Sequence, residues 1–471
     1  MTRAVVVGGS IAGLLAAAAL AGAFDEVLVL ERDRLGADEG FRPGVPQARH
    51  VHGMLLRGAQ AVERLLPGMQ EELRADGAAV VDMGEQLLVS NQGQVTPPQT
   101  LGLPLQLFSR NFLETRMRDR VKALPGVTVQ DAMSVTGLCA AQDGGRITGV
   151  TALADGESDA SAEVIDADLV VDASGRTSRA ADWLGALGYP APDEVVVDAG
   201  QSYVTAWLDR HDALSDTGGG VYEIGQNMAH GRGGVGVAIQ GSQVQVLLFG
   251  RGADQPSTDP AEFRAQARRL GSATITALAE AVGPGTPIYT YAKLINRRRL
   301  YHRMPRWPER FVVVGDGLCM FNPVYGQGMT VAAMQAEDLR TGAAGLLRDP
   351  GRTRALQRRL ARRTSVPWLL ATAQDSRWTE RPSLLSPFCD WLLERMVTRI
   401  AGSRQLHKAF LQILQLLRPT ALANPRALYA LLRPRPTHRT EGEPAERPFG
   451  GSSWRRDHTS GDQGSPERTV E

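Results

Sequence analysis

Lysine is nearly absent from this chain. Among 471 residues only Lys122, Lys293 and Lys408 occur, so the 52 basic residues are almost all arginine, and they face 51 acidic ones. A formal net charge of +1 leaves no basic excess for nucleic acid and no strong field for any charged partner. Cysteine is as scarce. Cys139, Cys319 and Cys389 lie far apart, fit no metal-ligand spacing, and read as buried free thiols of a reducing compartment. The eight histidines form no HExxH or comparable cluster, which speaks against a metal enzyme. Long uninterrupted apolar runs are lacking too. Ala4 to Phe24 imitates a signal peptide or a membrane span, but Gly8-Gly9-Ser10 breaks it, and its removal would strip the run Val27–Leu30 of a partner strand. A cytoplasmic protein is expected, with no nucleic-acid partner and no membrane contact.

What is present begins with a βαβ opening. Residues 3–7 read as a buried strand, 11–22 as an alanine- and leucine-rich helix, and 26–30 as a second buried strand. At the first strand-to-helix junction stands Gly8-x-Ser10-x-x-Gly13, with Ile11 and Ala12 inside it, and Glu31 ends the next strand. In such a motif Gly8 permits the tight turn, Gly13 lets helix and strand pack closely, and the middle residue must be small where a pyrophosphate approaches the helix N-terminus. Ser10 departs from the usual glycine, and its Cβ leaves less room. Glu31 suits ribose hydroxyls and disfavours a 2′-phosphate. The motif points to a dinucleotide and by itself does not separate FAD from NAD.

A second constellation runs from Trp307-Pro-Glu-Arg-Phe-Val-Val-Val-Gly315-Asp316 to Asn322-Pro323-Val-Tyr325-Gly326-Gln327-Gly328-Met329. A buried strand would deliver Asp316 to the C-terminal sheet edge, where doubly wound folds hold ligands. Pro323, Gly326 and Gly328 would let backbone pass close to a flat ring before a helix starts near Thr330. In the plainer reading Asp316 caps a helix and the glycines form an ordinary loop.

The remaining organisation follows from periodicity. A loop from Phe41 to Met54 carries Arg42, Arg49, His50 and His52. Helices are expected at about 54–75 and 110–123, strands at 127–138, 146–153 and 168–172. Between about 195 and 300, alternation at 202–208, 234–239 and 244–249 suggests an antiparallel sheet with one covered face, interrupted by a helix at 259–282. Residues 385–432 read as helices that pack on the cofactor domain and border a substrate entrance. Beyond Arg433 the chain has almost no aliphatic residues and is expected to be disordered. The fold class expected is α/β (α+β). A Rossmann-type domain from 1–80, 100–190 and 285–350 would carry an antiparallel-sheet substrate domain from 81–99 and 191–284, C-terminal helices at 351–433 and a tail at 434–471.

Four stretches resemble the single-Rossmann FAD monooxygenases, the group of aromatic hydroxylases and squalene epoxidase. They are Gly44-Val-Pro-Gln-Ala-Arg-His50-Val-His52, Asp168–Arg176, Asn296-Arg-Arg-Arg299 with Tyr301, and Trp307–Met329. Within that group the likeness is greatest to epoxidases of polyether-antibiotic biosynthesis, of the lasalocid and monensin type, and covers about two thirds of the chain.

The resemblance implies FAD as cofactor. Gly8 to Gly13 would take the pyrophosphate, Glu31 the ribose with Arg32 beside it, and Arg42 and Arg110 would face phosphate or flavin. Asp316 would bind ribityl or pyrophosphate, while Gly328 and Met329 lie against the isoalloxazine, next to the backbone turn of Pro323 and Gly326. It also implies O2 as co-substrate, a flavin C4a-hydroperoxide as oxidant, and oxygen insertion into a lipophilic polyketide or isoprenoid of bacterial secondary metabolism. No catalytic side chain is nominated. His50 and His52 read as ordered loop histidines, and Arg297–Arg299 either hold a substrate carboxylate or face solvent. The middle motif, Ser174-Gly175-Arg176-Thr177-Ser178-Arg179, departs from the Asp-Gly pattern of many aromatic hydroxylases. The electron source is therefore open between NAD(P)H and a partner flavin reductase. Competing expectations are an aromatic hydroxylase, a geranylgeranyl-type flavin reductase and a FAD-holding scaffold. A halogenase lacks its Trp-x-Trp-x-Ile-Pro signature here, since no two tryptophans stand two apart.

Overall fold

Val/Leu-rich runs with no polar alternation belong in a sheet covered on both faces, and the chain places its own there. In the computed structural model, which describes residues 1–433 apart from 37–39, 92–93, 158–160, 210–211, 215–218, 224–230, 293 and 380–385, four such strands and one polar-alternating edge strand form one parallel sheet. They are β1 (Arg3–Val7), β2 (Glu26–Leu30), β3 (Val127–Gln130), β4 (Leu169–Asp172) and β5 (Phe311–Val313), in the order β5-β4-β1-β2-β3. Val5 pairs with Leu28 on one side and Val170 on the other, so β1 is central. Helix α1 (Ile11–Leu20) is buried almost all round and packs between this sheet and helix α3 (Gly328–Arg348); α2 (Arg110–Lys122) lies beside it.

The second large sheet has seven strands. Its order is Ile288–Tyr291, Gln201–Leu208, Val244–Arg251, Gly233–Ala238, Gly220–Glu223, Leu87–Asn91 and Gln94–Val95. Pairing is antiparallel except between Gly220–Glu223 and Leu87–Asn91. One covered face was expected, and both are covered. Val204, Val246 and Leu248 pack under helices Pro260–Arg268 and Ala273–Glu280, while Tyr203, Leu247 and Phe249 meet Val51 of the 41–54 loop. The strand Gln201–Leu208 accordingly has no regularly exposed side.

Three other expectations needed correction, each at a backbone break. The helix expected at 54–75 is two, Leu56–Leu65 and Met69–Ala75, separated where Pro67 precedes Gly68 at φ +84°. The helix at 259–282 divides at Gly271, φ +74°. The strand at 127–138 is two strands in different sheets, because Ala132 turns the chain at φ +53°.

The C-terminal helices Ser386–Val397, Arg404–Leu414 and Pro425–Leu432 gather beside the helix that starts at Leu56, whose amide donates to Gln415 Oε1 at 2.7 Å. Met396, Ile400, Leu406 and Phe410 bury against Val81, Met83, Leu101 and Leu105 around a two-stranded sheet, Ala79–Asp82 with Pro104–Leu107. Phe388 and Trp391, on the first of these helices, stack on each other and stay 58% and 43% exposed. Among the described residues no helix is long and apolar enough to cross a membrane. Cys319 is buried, whereas Cys139 and Cys389 are only partly so; all three are free thiols. The tail at 434–471 lies outside the described residues.

Candidate cofactor site

At the C-terminal edge of the parallel sheet a cavity of about 540 Å³ opens between two helix N-termini. Helix α1 starts at Ile11 and α3 at Gly328, two residues before the expected Thr330, and neither N-cap residue makes a side-chain capping bond. Their first-turn amides are therefore free to receive an anion, and both helix dipoles favour one. Thirteen of the fourteen residues singled out in the sequence line this cavity: Gly8, Ser10, Ile11, Ala12, Glu31, Arg32, Arg42, Arg110, Asp316, Pro323, Gly326, Gly328 and Met329. Gly13 does not, and its place explains why. A Cβ there would stand 1.7 Å from the carbonyl oxygen of Gly8, so only glycine allows α1 to close on the strand. Gly8 itself has φ +100°, and a side chain on it would meet the Ala173 carbonyl at 2.8 Å.

The rim of the cavity is charged and highly connected. Glu31 is buried; its Oε2 accepts from the Gly9 amide at 2.7 Å and its Oε1 from the Asp33 amide at 2.9 Å. Arg42 is shared among Asp33 at 2.9 Å, Glu31 at 3.3 Å and Glu114 at 2.5 Å. Arg110 donates to Glu114 at 2.7 Å and to the Ser10 hydroxyl at 2.7 Å, and Ser10 donates to Glu114 at 2.8 Å. Burial alone would raise the Glu114 carboxyl, yet Arg110 and Arg42 bring it down to about 2. The same carboxylates hold Arg42 well above the usual guanidinium range against its own burial. Asp33 and Glu114 escaped the sequence reading. Glu114 had a signal, since it stands one helical turn from Arg110.

Asp316 sits in a single 3-10 turn, Gly315–Gly317, at the end of β5. It caps no helix and faces the cavity. Burial raises its carboxyl, opposed by Arg176, Arg110 and Arg297. Ser174, Gly175, Arg176, Thr177 and Arg179 line the opposite wall, and Met133 to Thr136 complete it. The latter stretch carried no sequence signal.

The 44–52 loop is tied to the seven-stranded sheet. His50 is buried, its Nδ1 2.9 Å from the Thr205 hydroxyl and its ring edge-on to Tyr203 at 4.6 Å. His52 Nδ1 lies 3.0 Å from the His50 carbonyl, which can only accept, so Nδ1 carries the proton and Nε2 is the open acceptor. Burial pushes both imidazoles down, His50 to about 3 and His52 to about 4, with neighbouring cations adding to the effect. Each arginine of the run Arg297–Arg299 has a partner within the protein. Arg297 donates to the Arg176 carbonyl, Arg298 to the Ala361 carbonyl, and Arg299 pairs with Glu194 at 2.6 Å.

A cavity with a glycine-only turn, two uncapped helix N-termini and a buried acidic wall defines a dinucleotide-binding fold. Residues 1–374 match the FAD binding domain family, and the chain belongs to it. It is 35% identical over 349 residues to Protein Rv3254 of Mycobacterium tuberculosis, covering 72% of each chain. Solved structures share the fold at low identity. A p-nitrophenol 4-monooxygenase, PnpA of Pseudomonas putida, superposes with TM-score 0.62 at 17% identity, over 88% of this chain and 99% of its own. PqsL of P. aeruginosa in complex with 2-aminobenzoylacetate gives 0.61 at 15%, over 81% and 97%. The flavin-dependent brominase Bmp2 gives 0.62 at 14%, over 88% and 94%.

Proposed function

We propose that this protein is a FAD-dependent monooxygenase that inserts one oxygen atom of O2 into a lipophilic substrate, by epoxidising a polyketide or isoprenoid alkene. FAD suits the cavity because the turn at Gly8–Gly13 has room for backbone alone and the helix N-termini lack caps of their own. In this reading the amides after Ser10 hold the pyrophosphate, Glu31 the ribose, and Asp316 the ribityl or pyrophosphate. Gly326 to Met329 lie against the ring system. Bound and reduced, FAD supplies the electrons that activate O2.

The observation that carries the oxygenase reading is an apolar cluster packed behind the cavity loop at Val51. Tyr203, Leu247 and Phe249 cluster with Leu294, and Val51, Tyr291 and Val324 pack on them. Val51 also lines the cavity, and Val324 follows Pro323 on its rim. Through Val51 this cluster backs the cavity with apolar groups and helps to keep water from it. Epoxidation calls for no strong base. His52 can accept a proton at Nε2 but stays neutral at physiological pH, which suits a site that must not quench its oxidant. Electrons come from NAD(P)H at the flavin or from a partner reductase.

The test uses isotopically labelled O2, the holoenzyme, a reductant and polyene substrates, with products read by mass spectrometry. One labelled oxygen per product, with the other in water, supports the proposal. A saturated product formed without O2 would replace it with the flavin reductase reading; a hydroxylated arene would replace the epoxidase with an aromatic hydroxylase.

A further inference from the structure

The family match ends at residue 374, one position before Asp375. Asp375 closes helix α4 (Ser365–Asp375) and is wholly buried. Its carboxylate ties two other segments to this helix. Oδ2 accepts from Asn296 Nδ2 at 2.7 Å and from Asn322 Nδ2 at 2.9 Å, and Oδ1 accepts from the Tyr325 hydroxyl at 2.7 Å. Asn322 is further fixed by its amide donating to Asn296 Oδ1 at 2.8 Å and by Nδ2 donating to Gln201 Oε1 at 2.9 Å.

Every partner of this carboxyl is a donor, so the group serves as an acceptor. Burial raises it, against the pull of Asn322, Tyr325, Asn296 and the more distant Arg251. A buried carboxylate is a poor source of net stability, because an apolar group of similar shape often does as well. What this one does have is a grip on a single turn. Asn322–Tyr325 leads directly into Gly326, Gly328 and Met329 at the cavity edge.

We infer that Asp375 is a positioning residue: from the C-terminal helices it fixes the Asn322–Tyr325 turn and thereby sets where Gly326 to Met329 stand against bound FAD. The inference rests on the reading that the cavity holds FAD.

The test compares Asp375→Asn, Tyr325→Phe and the double variant. FAD release from holoenzyme is followed by fluorescence on dilution, alongside the visible flavin spectrum, at a temperature where circular dichroism shows every variant folded. An asparagine at 375 keeps one acceptor oxygen and replaces the other with an NH2 that faces donors. Asp375→Asn is expected to weaken FAD binding by about tenfold or more and to shift the flavin bands. Tyr325→Phe should act in the same direction and less, and the double variant should be no worse than Asp375→Asn alone. A lowered Tm with affinity and spectrum unchanged would overturn the inference, as would strictly additive losses. If Asp375→Asn does not fold, Tyr325→Phe decides: unchanged affinity and spectrum overturn it. Wild-type protein without FAD would defeat the underlying reading, whereas FAD-loaded wild type with indifferent variants defeats this inference alone.

Discussion

Arg110 Nη2 donates to the hydroxyl of Ser10 at 2.7 Å, joining the middle of the glycine motif to a helix a hundred positions further along. Glu114 accepts from both, and from Arg42 as well. The serine that departs from the usual glycine therefore has work in the fold. Its side chain turns away from the turn's backbone and into a buried ion network on the cavity rim.

That network gives the first prediction. Glu114→Gln removes the charge shared by Arg42 and Arg110 and turns an amide NH2 toward one of these two buried guanidinium groups. Breaking a buried pair from one side costs about 3–5 kcal/mol. Denaturant unfolding should show a loss of that order with an unchanged m-value, accompanied by weaker FAD retention. A loss under about 1 kcal/mol would mean the rim is effectively solvated.

The paired histidines set a pH dependence. Their ordinary value is 6.5, and burial holds His50 to about 3 and His52 to about 4. Below pH 6.5 the unfolded chain binds protons that the folded one refuses, so stability is complete above that pH and is lost as pH falls toward 4 and 3. The slope should approach about 1.4 kcal/mol per pH unit for each histidine. His50→Gln should flatten the curve between pH 6 and about 4; an unchanged slope would place the buried charge elsewhere.

The C-terminal helices can be tested by contrast. Phe410 is 3% exposed among Leu406, Met396 and Leu101, whereas Phe388 is 58% exposed. Phe410→Asp should cost several kcal/mol, as an unpaired buried charge does. Phe388→Asp should stay within about 0.5 kcal/mol. Thermal melts of the two variants would reverse this order if the exposed face were buried against something else.

Much of this site was legible in the sequence, because glycine and the acidic strand ends report backbone demands directly. Gly8 and Gly13 had to be glycine for steric reasons that hold in any context, and the Val/Leu runs had no alternative to a doubly covered sheet. The misses have a common physical origin. Gly68, Ala132 and Gly271 break elements by adopting positive φ, and hydrophobic period continues across such residues without a mark. Arg297–Arg299 looked free because their acceptors are backbone carbonyls of residues 176 and 361 and a carboxylate at 194, which no local pattern announces. Asp375 was invisible for the same reason: its three donors stand 50 to 79 positions away.

The central claim is that the cavity between α1 and α3 holds FAD. It is tested most directly by the flavin content of the purified protein and of Asp316→Ala. The wild type should be yellow with about one FAD per chain. The variant removes the carboxylate that ends β5, leaving the cofactor donor it would bind unpaired at a cost of roughly 1–3 kcal/mol. Most of its FAD should be lost on gel filtration, with the fold retained. Colourless wild-type protein, or full flavin occupancy in Asp316→Ala, would contradict the account.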